Sequence, residues 1–369
     1  MSSTWGNNIK LSIFGESHGP AIGINIGGLP PGIELDLEEI KMEMKRRAPG
    51  QNQLSTPRAE KDEFEILSGF FNKKTTGTPL SMIIRNTDTR SKDYSRTKDL
   101  ARPGHADYTG DIRYFGHNDY RGSGHFSGRI TASIVFAGAI AKQILRRKNI
   151  YVGSHIKSIG DIEEDYFDSL ALRPELIEEL RNKRFPVLDD KMGELMEEAI
   201  LKAKEDEDSV GGILEVAVVN HPAGLGSPFF ESVESNLAHM IFSIPATKGI
   251  EFGAGFNITK MKGSQANDEY FMDGDKVNAY SNNNGGIIGG ITNGLPIIFR
   301  VGIKPTASIG KKQRTIDMVN KEDVEIEVVG RHDPCIVLRA APVIEAATAL
   351  VILDQLLEVK VDHDLFRRP

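Results

Sequence analysis

The chain has 369 residues, a formal net charge of −7 and an apolar content of 39%. That length suits one large domain or two smaller ones, and the acidic balance argues against a general nucleic-acid binder. One cysteine, Cys335, rules out an intrachain disulfide and a Cys-based zinc site, so no metal is expected.

The N-terminal Met-Ser-Ser-Thr-Trp-Gly lacks the basic-then-apolar order of a signal peptide. No run of about 18 apolar residues stands out, so no membrane span is expected and a cytoplasmic location is the default. Residues 10–27 read as two strands around a turn at 15–20 that carries Glu16, Ser17 and His18. Turn chemistry explains the glycines and the serine, whereas a histidine on a rigid hairpin is a catalytic candidate. Asp36 is placed to cap a helix through about Arg47, acidic at its start and basic at its end. Arg46 and Arg47 either compensate the helix dipole or open an anion site. Residues 64–69 and 77–86 look like further strands.

Residues 102–129 hold three of the nine histidines (His105, His117, His125), four arginines and six glycines. No period of 2 or 3.6 runs through them, so ordered loop is expected over most of the stretch, and its aromatics argue against disorder. Arginine forks bind phosphate or carboxylate, glycines let backbone N–H groups approach, and histidines move protons near neutral pH. The segment therefore reads as a site for an anion; a solvated surface loop is the plainer alternative.

Residues 131–147 are apolar nearly all round, as in a buried helix. A short strand at 151–160 precedes a charged stretch, 161–208, with helices near 174–183 and 190–204, expected as a solvated outer layer. A strand at 211–220 and a helix at 232–244 follow. The order strand, Pro/Gly turn, acidic-start helix, Pro/Gly loop thus occurs at 21–50 and again at 211–249. A second apolar helix, 343–357, mirrors the first. These features predict an α+β chain of two related halves, about 1–150 and 210–369, whose apolar helices share a centre. Residues 262–284 have the polar composition of a mobile loop. The glycine run 285–294 and the Lys/Ser/Thr loop 304–315 could cradle a phosphate, although neither a P-loop nor a Gly-x-Gly-x-x-Gly spacing is present. Arg331-His-Asp-Pro is either a dense ionisable cluster or an Asp-Pro turn with an internal salt bridge. The tail after Val361 is expected to fray.

Four motifs carry a family resemblance. Gly15-Glu-Ser-His-Gly19, Arg102-Pro-Gly-His-Ala-Asp107, Tyr120-Arg-Gly-Ser-Gly-His-Phe-Ser-Gly-Arg129, and Arg331-His-Asp-Pro-Cys335 with Arg339-Ala-Ala-Pro-Val-Ile-Glu-Ala346 resemble the chorismate synthase family in order and spacing, from about Lys10 to Leu357. The resemblance implies a β-α-β sandwich, two antiparallel sheets around central helices with an internal pseudo-twofold, in a homotetramer. It implies a lyase that removes phosphate from 5-enolpyruvylshikimate 3-phosphate by 1,4-anti elimination, giving chorismate, with reduced FMN required but not consumed. His18 then matches the proton donor to the departing phosphate, and His105 the histidine near the reduced flavin. Asp333 matches a carboxylate that passes a proton with Ser17 and Ser127. Arg47, Arg129 and Arg339 match substrate-side arginines, and Arg47 is also a family NADPH contact. His125, Phe126, Ser127, Ala246, Gly289, Lys304, Pro305, Thr306, Ala307, Ser308 and Arg331 match the FMN set. The chain departs from many members at His125-Phe126, where Arg-Ser is common, and at Pro245, where Asn or Gln is common. The expectation is a monofunctional enzyme supplied by an external flavin reductase. A non-flavin phosphoryl enzyme is the rival, disfavoured by the missing P-loop and the lack of an acidic Mg²⁺ cluster. A phospholigand- or RNA-binding module ranks lower still because of the net acidity.

Overall fold

Two five-stranded antiparallel sheets pack on a central pair of apolar helices in this computed structural model, which describes residues 3–50, 54, 62–87, 98–328 and 333–366, with side chains through Val359. In the first sheet the strands lie in the order Thr4–Trp5, Lys10–Gly15, Ala21–Gly27, Leu80–Arg85, Phe64–Ser68. Leu80, Met82 and Ile84 alternate inward along one of them, the period expected of a half-buried strand. The second sheet runs Thr247–Phe252, Ile297–Ile303, Gly212–Val219, Tyr151–Ile159, Ile162–Glu163. Here alternation vanishes: after Tyr151, every residue through Ile159 is buried. Both faces of this sheet are covered, which removes the polar-out half of the pattern.

The outer cover comes from the charged stretch. Helix Pro174–Asn182 buries Ile177 and Leu180, and Ile177 lies against Gly153 of the sheet. Helix Asp190–Glu205 buries Gly193, Met196, Ile200 and Ala203. The segment is therefore more than a solvated layer; its charges face water while a narrow apolar stripe seals the sheet.

Helix Thr131–Arg146 is buried without a break from Thr131 to Gln143. It packs on helix Val337–Phe366, and Phe136 meets Phe64 of the first sheet edge-on at 5.0 Å. A Cβ on Gly138 would stand 2.2 Å from the Cβ and 2.4 Å from the Cα of Ala346, so the helices touch backbone to backbone at this point. The two apolar helices do share a centre. The second begins six residues before the predicted start, with Pro342 inside it, and continues through the stretch expected to fray. Core packing overrides the proline's local preference here. Contrary to the sequence expectation, segments 128–146 and 337–359 are long and apolar enough to cross a bilayer, but 94% and 83% of the respective windows are buried inside the protein. Isolated charges such as Lys142 and Glu345 break the apolar runs without lowering the average enough to exclude them.

Those charges meet at a junction of five elements. Arg46 grips Glu345 with both arms, at 2.7 and 3.0 Å. Lys142 reaches Glu345 at 2.6 Å and Glu43 at 3.1 Å, and Arg181 reaches Glu43 at 2.5 Å. Ser154 donates to Glu345 at 2.8 Å. Burial alone would raise both carboxyls; instead Lys142, Arg46 and Arg181 hold Glu43 far below its ordinary range, and Arg46 and Lys142 hold Glu345 at about 2.

Two loop expectations change. Residues 102–129 contain a helix, Asp107–Tyr114, and 3-10 turns at Arg121–Phe126 and Gly128–Ile130. The helix buries only Gly110, so it shows no apolar stripe in the sequence. Residues 262–284 are built around Asp268, whose carboxylate accepts from Ser281 Oγ, Asn283 N, Asn284 N and Asn284 Nδ2 at 2.7–2.9 Å. A short helix, Gly263–Ala266, and a hairpin, Tyr270–Asp273 with Lys276–Ala279, replace the expected mobile loop.

Gly138→Ala is expected to cost about 1–3 kcal/mol by overpacking the helix contact, read as a lower urea midpoint. A second expectation concerns pH. His155, fully buried, donates from Nδ1 to Glu164 at 2.5 Å and from Nε2 to Glu215 at 3.0 Å. Burial opposes its charge, but the two carboxylates outweigh burial and raise its pKa above 6.5. This stabilisation is complete below about pH 6.5 and is lost as pH rises through the higher folded value. Wild-type stability should show that fall as pH rises above about 6.5, and His155→Gln should lack it.

Candidate active site

The turn between strands Lys10–Gly15 and Ala21–Gly27 buries Ser17 and His18, which are 1% and 6% exposed. The Arg121–Phe126 segment seats it. Ser17 N donates to Gly124 O at 3.0 Å. Gly122 has φ +58°, and a Cβ there would lie 2.1 Å from His18 Nδ1. Glycine therefore answers both the backbone conformation and the close approach. Asp119 pairs with Arg121 at 2.8 Å; Arg121 lowers the Asp119 pKa against partial burial, and His18 adds to the lowering.

Three of the four predicted arginine contributions converge beside this turn. Arg47 ends helix Leu37–Arg47, and Arg129 lies just before helix Thr131–Arg146. Both donate to the buried Asp62 carboxylate, Arg129 to Oδ1 at 2.9 Å and Arg47 to Oδ2. Arg339 donates to Arg47 O at 3.1 Å and pairs with Asp333. Arg129 Nε also donates to Asn86 Oδ1 at 2.6 Å, and Asn86 Nδ2 donates to Glu16 O at 2.9 Å and Gly19 O at 2.8 Å. Burial lowers the Arg339 pKa, Asp333 opposes the shift and neighbouring Arg47 adds to it. Among the described residues three guanidiniums thus face two carboxylates, in a mostly desolvated place. Such an arrangement favours an incoming anion.

A second group forms where loops 102–107 and 304–308 meet. Arg102 holds Asp107 through two bonds, at 2.7 and 2.8 Å, and donates to Ser123 Oγ at 3.1 Å, tying this group to the segment that seats His18. His105 Nε2 and Ser308 Oγ are 2.9 Å apart, and Lys304 Nζ donates to Gly104 O at 2.7 Å. Lys304 N donates to Ala246 O at 3.0 Å, and Ala246 itself holds a left-handed φ of +73°. Thr306 Oγ1 and Ser17 Oγ are buried and meet no hydrogen-bond partner among the described residues. A buried hydroxyl left so costs about 1–3 kcal/mol, which a hydrogen bond to a polar ligand would recover. Thr306 lies in the loop of Lys304 and of Ser308, the partner of His105, and this donor set fits a phosphorylated, anionic cofactor.

The remaining predicted residues divide. His125 must donate from Nδ1 to Gly15 O at 2.8 Å, and its Nε2 is 3.2 Å from Ser3 Oγ, so both ring nitrogens are engaged by protein. Phe126 is partly exposed, its ring 6.0 Å from that of Tyr114. Ser127 accepts from Arg129 N at 3.4 Å, capping the next turn. Pro305 and Ala307 lie in the Lys304 loop, Ala307 against Gly104. Gly289 lies at the tip of the hairpin Ile287–Ile288 and Ile291–Thr292, and among the described residues no hydrogen bond ties it to the Lys304 loop. Arg331 lies outside the described residues. Burial pushes the thiol of Cys335, the residue after Pro334, up to about 12, which leaves it unreactive. Among the described residues no group of three or more His, Cys, Asp or Glu side chains is arranged to hold a metal ion.

The family model described as chorismate synthase matches residues 9–357. The chain belongs to the chorismate synthase family. A relative named chorismate synthase from Thermococcus kodakarensis is 46% identical over 362 residues, 98% of this chain and 99% of that protein. Another of that name, from Synechocystis sp., is 45% identical over 359 residues, 97% of this chain and 98% of its own. A solved structure titled "Crystal Structure of Chorismate Synthase" matches with a TM-score of 0.75 at 32% identity, covering 96% of this chain and 93% of that one. The reaction class of chorismate synthases, elimination of phosphate by a carbon–oxygen lyase in the shikimate pathway, follows for this member.

Sequence reasoning missed Asp62 and Asn86, the groups that join the predicted residues. Asp62 sits in a charged run, Glu60-Lys-Asp-Glu63, where nothing singles it out. Asn86 follows a strand and reads as a turn residue. Removing the shared acceptor should be costly: Asp62→Ala leaves Arg47 and Arg129 buried against each other, and a loss of about 3–5 kcal/mol in chemical denaturation is expected.

Proposed function

We propose that this chorismate synthase-family chain converts 5-enolpyruvylshikimate 3-phosphate to chorismate by 1,4-anti elimination, with reduced FMN required and no net redox change. The observation that carries this reading is the buried His18 turn tied to the Arg47–Arg129–Arg339 cluster, a proton donor beside a seat for an anion. When bound, the reduced flavin supplies electron density to the breaking C–O bond and recovers it. The chain's own residues do the rest. Arg47, Arg129 and Arg339 bind the substrate's carboxylates and phosphate. His18 gives a proton to the departing phosphate, which leaves better neutralised, and an imidazole has a pKa suited to that task. His105 balances negative charge at the cofactor. Asp333 receives and passes the C6 proton with Ser17 and Ser127 once an arriving anion competes for Arg339.

The cofactor would be held by Lys304, Pro305, Thr306, Ala307 and Ser308, with Ala246, Gly289, Arg331 and the His125-Phe126-Ser127 segment. The orphaned Thr306 Oγ1 supports this assignment. For His125 the support favours backbone or ring-face contact, since its nitrogens are engaged. Reduced flavin comes from an external reductase, with NADPH as the ultimate reductant and Arg47 a family contact for it. The same reading includes a homotetramer in the cytoplasm; Phe229 and Phe230, 86% and 90% exposed, are side chains that an assembly would cover.

Anaerobic turnover with chemically reduced FMN should release phosphate and chorismate in equal amounts, and none with oxidised FMN. Phosphate alone would indicate a phosphatase. His18→Ala and His105→Ala should each lower kcat by about 10²–10⁴-fold while FMN binding persists. Loss of FMN binding in both would refute their assigned roles.

A further inference from the structure

We infer that Asn86 is a positioning residue that sets His18 at a fixed distance from the substrate-side arginines. The inference rests on the lyase reading above and deepens it. Asn86 is the first residue past strand Leu80–Arg85, outside the ladder, so its side chain is not needed to complete the sheet. Its hydrogen bonds go to the two halves of the site. Nδ2 spans the turn, donating to Glu16 O at 2.9 Å and Gly19 O at 2.8 Å, the carbonyls that bracket Ser17 and His18. Its backbone N–H donates to Pro20 O at 3.2 Å, closing the same turn. Oδ1 accepts from Arg129 Nε at 2.6 Å. Arg129 is fixed beyond that point by Asp62, which also holds Arg47.

One planar amide thus couples the turn that carries the proton donor to the guanidinium that binds the anion. The amide has the right polarity on each side: two N–H donors for two carbonyls, one oxygen for a cation. A carboxylate would satisfy Arg129 and repel the carbonyls; a hydroxyl is too short to reach both. Proton transfer to a leaving phosphate requires the imidazole within hydrogen-bond reach of an oxygen whose place the arginines decide. Holding these two elements in register is the task the geometry assigns to Asn86.

The test uses the full chain, with wild-type turnover under reduced FMN as the control for the lyase reading itself. Asn86→Asp keeps the acceptor for Arg129 and loses the donors to the turn; Asn86→Ala loses both. In each, kcat should fall at least about tenfold while KM changes less than about threefold. Asn86→Asp should also raise the midpoint of His18, because a carboxylate beside the turn favours the imidazolium. That midpoint is read twice, from the pH profile of kcat and from NMR titration of the His18 ring, the second independent of turnover. Should Asn86→Ala fail to fold, the isosteric Asn86→Asp decides. Wild-type kcat and His18 midpoint in Asn86→Asp would overturn the inference, even with a lowered melting temperature. So would a rise in KM at unchanged kcat. If the wild type itself gives no chorismate, the lyase reading fails, and the NMR titration still judges whether Asn86 governs His18.

Discussion

Two glutamates inside the protein, Glu43 and Glu345, are held by Arg46, Lys142 and Arg181, and the site depends on where that junction puts its neighbours. Helix Leu37–Arg47, helix Thr131–Arg146, helix Val337–Phe366, strand Tyr151–Ile159 and helix Pro174–Asn182 each contribute a member. Arg47 is the residue after Arg46, and Arg339 lies on the helix of Glu345. The cation that pins the core and the cation proposed to meet the substrate are therefore consecutive in the chain. Burying five charges is expensive, and the cost is offset only while each partner is present. Losing one would leave an unpaired charge among apolar helices, so the arrangement is intolerant of sliding. Backbone contact at Gly138 and Ala346 adds a steric limit to the electrostatic one.

The candidate site repeats this logic beside the His18 turn. In the core, Arg181 also reaches Glu39 at 2.6 Å and Glu178 at 3.1 Å, so three cations meet four carboxylates. Around Arg47, Arg129 and Arg339, Asp62 and Asp333 are the carboxylates that accept among the described residues. Pre-organisation of this kind means that the arginines need little reordering when a ligand arrives. On the other side, Lys304, His105, Ser308 and Thr306 form a second polar group, joined to the first through Arg102, Ser123 and the glycines beneath His18. His18 belongs to the first group and His105 to the second, so the proposed elimination would have a histidine on each side.

Much of the fold was legible locally. The turn at Ser17-His18, the Asp36-capped helix, both apolar helices and most strands of the two sheets are written in contiguous residues. A period or a capping residue is a property of neighbours along the chain. The failures have equally physical causes. Helix Asp107–Tyr114 buries too little to show a stripe, and helix Val337–Phe366 runs through a proline that local rules would place at its start. The 262–284 segment looked mobile because Asn, Asp and Ser suit loops; a single buried carboxylate, Asp268, turns the same residues into an ordered unit.

By itself the sequence determined the apolar helices, most strands, the family and most of the candidate ionisable residues, because these are carried by periodic patterns and by motifs of adjacent residues. Only the tertiary structure decided which of those residues act together. Arg46 and Glu345 are 299 residues apart, Arg129 and Asp62 are 67, and Lys304 and Gly104 are 200. No local preference encodes such a pairing. It follows from the approach of whole helices and sheets, set by buried apolar area and by the need for every buried charge to find its counterpart. Asp62 and Asn86 have unremarkable sequence neighbours for that reason, and their importance exists only in three dimensions.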